Sequence, residues 1–383
     1  MQSKYFITCL FVVCLHFQSS AQTFFPERGQ SWPKADLSNN QGQSFAKAVD
    51  FALDHEYTGS RDLKQAILKG FEQEPYHDIL GPTKERGGPA GMIIKDGELV
   101  ASWGDTRRVD MTFSVTKSFL STTAGLAVDV GLIADVNDKV YEYVWDEKFW
   151  GEHNRKITWA HLLTQSSDWT GQLWGGYDWA DRPPREGDID DWKMRELHEP
   201  GTVFEYNDVR VNLLAYSLLN VWRKPLPAVL KANIMDPIEA STTWRWYGYE
   251  NSWVTIDGLH MQSVSGGGHS GGGIFISTED LARFGYLFLN NGRWKDRQLI
   301  SEEWIRMAIE PSEAFSAYGF MWWLKGDEES MRYEALPPNA YYAAGFGGNF
   351  IFVLPSENAL IVTRWLNPAD AGRFLELAVD AVR

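Results

Sequence analysis

Residues 111–127 read Met-Thr-Phe-Ser-Val-Thr-Lys-Ser-Phe-Leu-Ser-Thr-Thr-Ala-Gly-Leu-Ala, and the fold turns on this stretch. Small and apolar residues recur at helical spacing from Ser114 to Ile133, which predicts a helix buried on most of its sides. Ser114 stands at the start of that helix. Lys117, three residues on, shares its face, so the amine can reach the hydroxyl. Burial predicts a Lys117 pKa drawn down toward that of a useful base, and the helix N-terminus favours negative charge developing at Ser114. Ser-x-x-Lys occurs twice more, at Ser31/Lys34 and Ser44/Lys47. The first carries Pro33 and lies near the expected mature terminus; the second opens a short amphipathic helix in which Ser44 reads as an N-cap. An isolated match at Ser114 would also read as a helix cap followed by a surface lysine, so the choice rests on the surrounding chain.

Upstream, Gly91 to Trp103 places Asp96-Gly97 between two β-prone runs, a strong hairpin signal. Downstream, helical spacing returns around Ala160–Leu163 and Arg210–Val221, with a Trp-rich, Gly- and Pro-containing excursion from Trp169 to Trp192 between them. After Gly273 the run Ile-Phe-Ile predicts a strand, followed by a helix capped by Ser277 or Thr278. Two β-rich runs, Phe350–Leu354 and Leu360–Trp365, precede a terminal helix from about Ala371. Strands at both ends with helices between them predict one mixed α/β (α+β) domain. Its largely antiparallel sheet, flanked by terminal helices, is built from about 22–110 and 265–383, and a helical insertion occupies about 111–264.

Further motifs support Ser114. Phe204-Glu-Tyr-Asn-Asp208 precedes a helix, and the Tyr206 phenol is suited to passing a proton between nucleophile and leaving group. In chain order, Ser114-Val-Thr-Lys117, His161-Leu-Leu-Thr-Gln-Ser-Ser, Tyr206 and Gly272-Gly-Ile-Phe-Ile-Ser-Thr-Glu-Asp-Leu-Ala-Arg-Phe-Gly resemble class C β-lactamase relatives from about Gly91 to the C-terminus. They are nearest in character to the esterase and 6-aminohexanoate-dimer hydrolase branches. The resemblance implies a β-lactamase/transpeptidase-like fold, acylation of Ser114, proton transfers shared by Lys117 and Tyr206, and no cofactor. It also implies that Ala343-Ala344-Gly345 stands for the family's Lys-Thr-Gly, with the backbone N–H groups of Ser114 and Phe346 as an oxyanion hole. The cation of that third motif is missing here, since Ala343 cannot pair with a substrate carboxylate, and an ester or amide is the expected substrate rather than a penicillin. Asp208 stands where relatives with Tyr-x-Asn have a neutral amide. An ionised Asp208 near Lys117 would keep the amine protonated and shift the base role to Tyr206.

Competing readings are weaker. Gly268-His-Ser-Gly-Gly272 fits the nucleophile elbow of α/β-hydrolases, but no apolar strand precedes it and no histidine follows His269 to complete a triad. The bland reading is a glycine-rich connection packed against the helices, with His269 lining the cleft or merely packing. His161, on an apolar helix, reads as a satisfied structural histidine. His55-Glu56 and His198-Glu199 lack the second histidine of the zinc-protease pattern, so no metal is expected. Of the 18 tryptophans, Trp169, Trp174, Trp179, Trp244 and Trp246 lie in segments able to wall a cleft. Trp169 and Trp174 are taken with Asp208, Gly345 and His269 as site-lining. The remaining alternatives are a peptidase acting on D-amino-acid peptides, a weak β-lactamase, or a non-catalytic protein stacking a sugar or peptide on these rings.

Composition bounds the rest. Lys4, the apolar run Tyr5–Phe17 and Ser19-Ser-Ala21 read as a signal peptide cleaved near Ala21, implying a periplasmic or secreted protein. Both cysteines, Cys9 and Cys14, lie in that leader, which removes thiol nucleophiles, thiolate metal sites and disulfides from the mature chain. About 360 residues remain, enough for one substantial core. No later stretch is apolar enough to span a bilayer. A net charge of −15 repels nucleic acid and anionic membranes and suits neutral or cationic small substrates; it leaves the oligomeric state open.

Overall fold

The computed structural model describes residues 24–38, 40–76, 78–184 and 186–383. The leader expected at 1–21, with Cys9 and Cys14, lies outside the described residues. Two apolar runs near the C-terminus organise the main sheet. Asn349–Leu354 pairs antiparallel with Ala359–Arg364, which pairs with Ala90–Lys95, and that strand turns at Asp96-Gly97 into Glu98–Trp103. Both turn residues have positive φ, the conformation an Asp-Gly hairpin uses. On the other side of Asn349–Leu354 lies Tyr341–Gly345, followed by the two-residue edge Trp323–Leu324, which completes an antiparallel order of six strands.

These strands are nearly uniformly apolar because both faces of the sheet are covered. Ile93, Phe350, Phe352 and Ile361 point to one side and share a core with Phe45, Phe374 and Leu375, from the helices Asn40–Asp54 and Ala371–Val382. Their neighbours Met92, Ile94, Ile351, Val353, Leu360 and Val362 face the other side, against Phe119 and Leu120 of the helix Thr116–Asp129 and Leu281 and Phe284 of Thr278–Leu289. Ser277 caps the latter helix through the Asp280 amide at 3.1 Å, as its sequence predicts. Ser44, in contrast, is no N-cap, because its helix already begins at Asn40.

The middle of the chain is less helical than its spacing suggests. The helices Trp159–Leu163 and Asp208–Trp222 are present, but Arg245–Ile256 and Leu259–Val264 form a long hairpin around Asp257-Gly258. Together with Gly273–Ile276 and Asp110–Met111 it makes a second, four-stranded antiparallel sheet. Long strands thus lie beside helices within 111–264, the segment whose spacing reads as a helical insertion.

The excursion is held down by a buried ionic network. Arg210, fully buried near the start of its helix, donates to Asp168 (2.8 Å), Glu205 (2.9 Å) and the Trp169 carbonyl (3.0 Å). Arg195 adds bonds to Asp168 at 2.6 and 3.1 Å and to Asp178 at 3.1 Å. Asp168 is nearly inaccessible; burial by itself would raise its pKa, but Arg195 and Arg210 hold it below the usual carboxylate value. Breaking such a pair strands a buried charge. Arg210→Met is therefore expected to cost about 3 kcal/mol, read as a lowered urea midpoint. An unchanged midpoint would show that Arg195 alone satisfies Asp168.

Candidate active site

Ser114 sits in the single helical turn Phe113–Val115 that leads into the buried helix Thr116–Asp129. Phe113, just before it, takes a left-handed φ of +49°. For a bulky side chain this costs about 1–2 kcal/mol and persists only where the surroundings impose it. Those surroundings are visible. Thr112 N–H donates to the Ile274 carbonyl at 2.9 Å, and a Cβ on Gly267 would fall 2.1 Å from the Phe113 carbonyl oxygen. The glycine-rich loop 265–273 thus lies directly against the backbone of the turn that carries Ser114. That resolves the elbow reading: the glycines serve close approach, and the Ser270 carbonyl accepts from the Leu80 and Gly81 amides at 2.9 Å.

Lys117 Nζ is 2.9 Å from Ser114 Oγ, 3.4 Å from the Gly266 carbonyl and 2.7 Å from Asp208 Oδ1. It also stands 4.9 Å from the centroid of the Tyr206 ring. Its charge state differs from the sequence expectation. Burial pushes the amine's pKa down more than any other single influence, but the Asp208 carboxylate and Tyr206 together outweigh it, so the Lys117 pKa is raised. Asp208 answers in kind. Burial would raise its carboxyl, and Arg182, Lys117 and His269 together hold it well below the usual range. Lys117 is an ammonium whose counter-ion is Asp208.

Tyr206 is placed by residues that carry no obvious chemistry. Gln165, in the segment after His161, accepts from the Asn207 amide through Oε1 (2.9 Å) and from the Glu205 amide through its carbonyl (2.9 Å). Asn207 caps the next helix through the Arg210 amide at 3.1 Å. The Tyr206 ring stacks on Trp323 at 5.8 Å and meets the edge of Tyr318 at 6.4 Å. Arg182, from the excursion, brings its guanidinium to 5.1 Å from the Tyr206 centroid and donates to Asp208 Oδ2 and Asp181 Oδ1, both at 2.7 Å. Nothing in the sequence around Asp181-Arg-Pro-Pro184 announces this role, which only the folded excursion creates.

Gly345 ends its strand beside Ser114: a Cβ there would meet the Thr112 carbonyl at 2.3 Å and the Ser114 nitrogen at 3.3 Å. Phe346 opens the turn that follows, and its ring contacts Phe113, Tyr57 and Phe71 at 5.1–5.8 Å. His269 is part of the site. Nδ1 lies 3.2 Å from Asp208 Oδ2, Nε2 lies 2.9 Å from Glu74 Oε2, and the ring stacks on Phe71 at 4.4 Å. Two expected wall residues fall elsewhere. Trp169 is buried in the core, donating to the Lys148 carbonyl at 2.6 Å, and Trp174 packs edge-on against Tyr216 at 5.9 Å. Trp244 and Trp246 are likewise buried, because Trp246 is part of the second sheet and Trp244 immediately precedes that strand. His161 forms a reciprocal cap with Thr158, the structural role its sequence suggests.

Glu74, Asp181 and His269 bring possible ligand atoms within 4.8 Å of one another. These groups are already matched internally: His269 spans Glu74 and Asp208, while Asp181 accepts from Arg182 and from the Asp208 amide. A small recess adjoins this cluster, lined by Leu80, Asp181, Asn212 and Tyr249, with Tyr76 and Tyr177 at its aromatic side. Among the described residues, no helix is long and apolar enough to cross a membrane.

Known proteins share this architecture. One solved structure, a candidate 6-aminohexanoate-dimer hydrolase from Bacillus anthracis, superposes with a TM-score of 0.57 at 18% identity, covering 92% of this chain and 87% of that one. The hydrolase EstCE1, with promiscuous acyltransferase activity, gives 0.58 at 14% identity over 90% and 100%. A family VIII carboxylesterase gives 0.56 at 16% identity over 91% and 99%. An uncharacterized protein of Alkalihalophilus pseudofirmus is 20% identical over 270 residues, 65% of this chain and 71% of its own length. The Beta-lactamase family pattern matches residues 77–372, most of the chain and every motif from Ser114 to Gly345, so the chain belongs to the beta-lactamase family of serine hydrolases.

Proposed function

We propose that the protein is an exported serine hydrolase that cleaves a carboxylic ester or amide through an acyl-enzyme on Ser114. One observation carries this: a buried ammonium, Lys117, touches both the Ser114 hydroxyl and the Asp208 carboxylate while facing the Tyr206 ring. With Lys117 charged, Tyr206 acts as a phenolate that accepts the Ser114 proton and becomes a neutral phenol, and Lys117 stabilises the negative charge that develops as Ser114 Oγ attacks the carbonyl carbon. The Ser114 and Phe346 amides bind the resulting oxyanion. Collapse breaks the bond to the leaving group, which takes the proton from Tyr206; water then repeats the sequence on the acyl-enzyme and frees Ser114. Export rests on the leader at 1–21, which ends in small residues.

The substrate class follows from charge. Ala343 offers no cation to a substrate carboxylate, and both guanidinium ends of Arg182 are engaged by Asp181 and Asp208. A neutral acyl group suits this site better than a penicillin. Tyr76, Tyr177 and Trp179, within 5.2–6.0 Å of one another, offer an apolar flank.

Incubation of the mature protein with a fluorophosphonate is expected to place one adduct on Ser114, absent in Ser114→Ala, with turnover of activated esters exceeding that of β-lactams. An adduct on Ser270, or none, contradicts the proposal. A second test concerns Lys117. Asp208 raises its pKa, so Asp208→Asn lowers it, and, compared in a His269→Gln background that removes the imidazole's own titration, activity that needs the ammonium falls off at lower pH than with Asp208 present. An alkaline limb of kcat/KM left in place, or a gain in activity as the amine neutralises, would return the base role to Lys117.

A further inference from the structure

His269 shares with Arg182 the Asp208 oxygen that Lys117 leaves, and its setting goes beyond local packing. Among the described residues, four charged groups face its ring: Glu74 from the segment after the helix Leu63–Gly70, Asp181 and Arg182 from the excursion, and Asp208 from the start of Asp208–Trp222. Its two ring nitrogens are spent on two different carboxylates, 2.9 Å to Glu74 and 3.2 Å to Asp208. Only an imidazolium turns an N–H toward both carboxylates at once, pairing with Glu74 as an ion while hydrogen-bonded to Asp208, since a neutral ring has a single N–H. With the second proton gone, one carboxylate would face a bare nitrogen lone pair, and that contact would be repulsive.

We infer that His269 is a positioning residue which, as an imidazolium, ties Glu74 to Asp208, holding the carboxylate against Lys117 and the segment 71–76 against the site. The segment's second attachment is consistent with this: Phe71 stacks on His269 at 4.4 Å and touches Phe346, the expected oxyanion donor, at 5.8 Å. Glu74 is the outermost member of the chain Glu74, His269, Asp208, Lys117, Ser114, so it is the contact that yields when the proton leaves. The inference rests on Ser114 being the nucleophile. Burial by itself lowers the His269 pKa, while its bonds to Asp208 and Glu74 and the nearby Asp181 raise it to about 9. The clamp is therefore closed at neutral pH and opens as pH rises through that value.

The test uses the full mature chain with 13C-labelled histidine, the His269 signal being assigned by its loss in His269→Gln. In wild type the His269 titration and an alkaline decline in the rate of fluorophosphonate labelling at Ser114 are expected to coincide. Glu74→Gln removes one of the two carboxylates that hold the proton, so both are expected to move down together by about one pH unit. In His269→Gln the decline near this pH is expected to vanish, with labelling slowed at every pH. A labelling profile left in place by Glu74→Gln while the His269 titration moves overturns the inference, as does a titration that Glu74→Gln does not move. An absence of Ser114 label at any pH is the separate failure of the nucleophile reading and removes this inference with it.

Discussion

A buried ammonium needs a buried anion, and much of this site can be derived from that one requirement. Taking Lys117 out of water costs several kcal/mol unless an opposite charge meets it in good geometry. Asp208 does so at 2.7 Å, but a carboxylate with two oxygens needs more than one partner. Arg182 and His269 take the second oxygen. Each of those cations demands its own anion in turn, Asp181 for the one and Glu74 for the other. Four segments far apart in the chain, 74, 181–182, 208 and 269, are thereby drawn to one point. Burial and the neighbouring carboxylates raise the Asp181 pKa, as expected where acids crowd faster than cations arrive.

The glycine-rich loop follows from the same crowding. A Cβ on Gly268 would lie 2.5 Å from the Asp208 carboxylate, and one on Gly267 would strike the Phe113 carbonyl. Gly267 also has a φ of +76°, which bulkier residues adopt only with strain. The loop must pass between the Ser114 turn and the charged cluster, so backbone without side chains is what fits. Its likeness to a nucleophile elbow is a by-product of that packing.

The sequence is most legible where local chemistry decides the structure. The Asp96-Gly97 hairpin, the Ser277 cap, the C-terminal strand pair and the buried helix after Ser114 all carry their signals within a few residues, and the structure has each of them. It is less legible where distant segments decide. The hairpin about Asp257-Gly258 bears the same turn signal as Asp96-Gly97, but its strands interleave aromatic and aliphatic residues with polar ones and are half exposed, so no continuous apolar run draws attention to it. Trp169 lies in an irregular stretch that looks like cleft wall, yet the Asp168 network anchors it and draws its ring into the core. The Lys117 charge could not be settled from burial alone, because its sign depends on Asp208, 91 positions away, being delivered to within hydrogen-bonding distance.

Arg182 shows how such a site divides its positive charge. The strand that approaches Ser114 carries Ala343, so it offers a substrate no cation there. Positive charge nevertheless reaches Tyr206 from two directions, Lys117 at 4.9 Å and Arg182 at 5.1 Å from the ring. Both cations are saturated by acids of the protein itself, so they face the Tyr206 ring without being available as anchors for a substrate anion. On the acyl-enzyme reading, the electrostatics of proton transfer and the recognition of the substrate are thus carried by different groups. Recognition then falls to shape and apolar contact along Tyr76, Tyr177 and Trp179, which constrain the size and polarity of the acyl or alcohol group more than its charge.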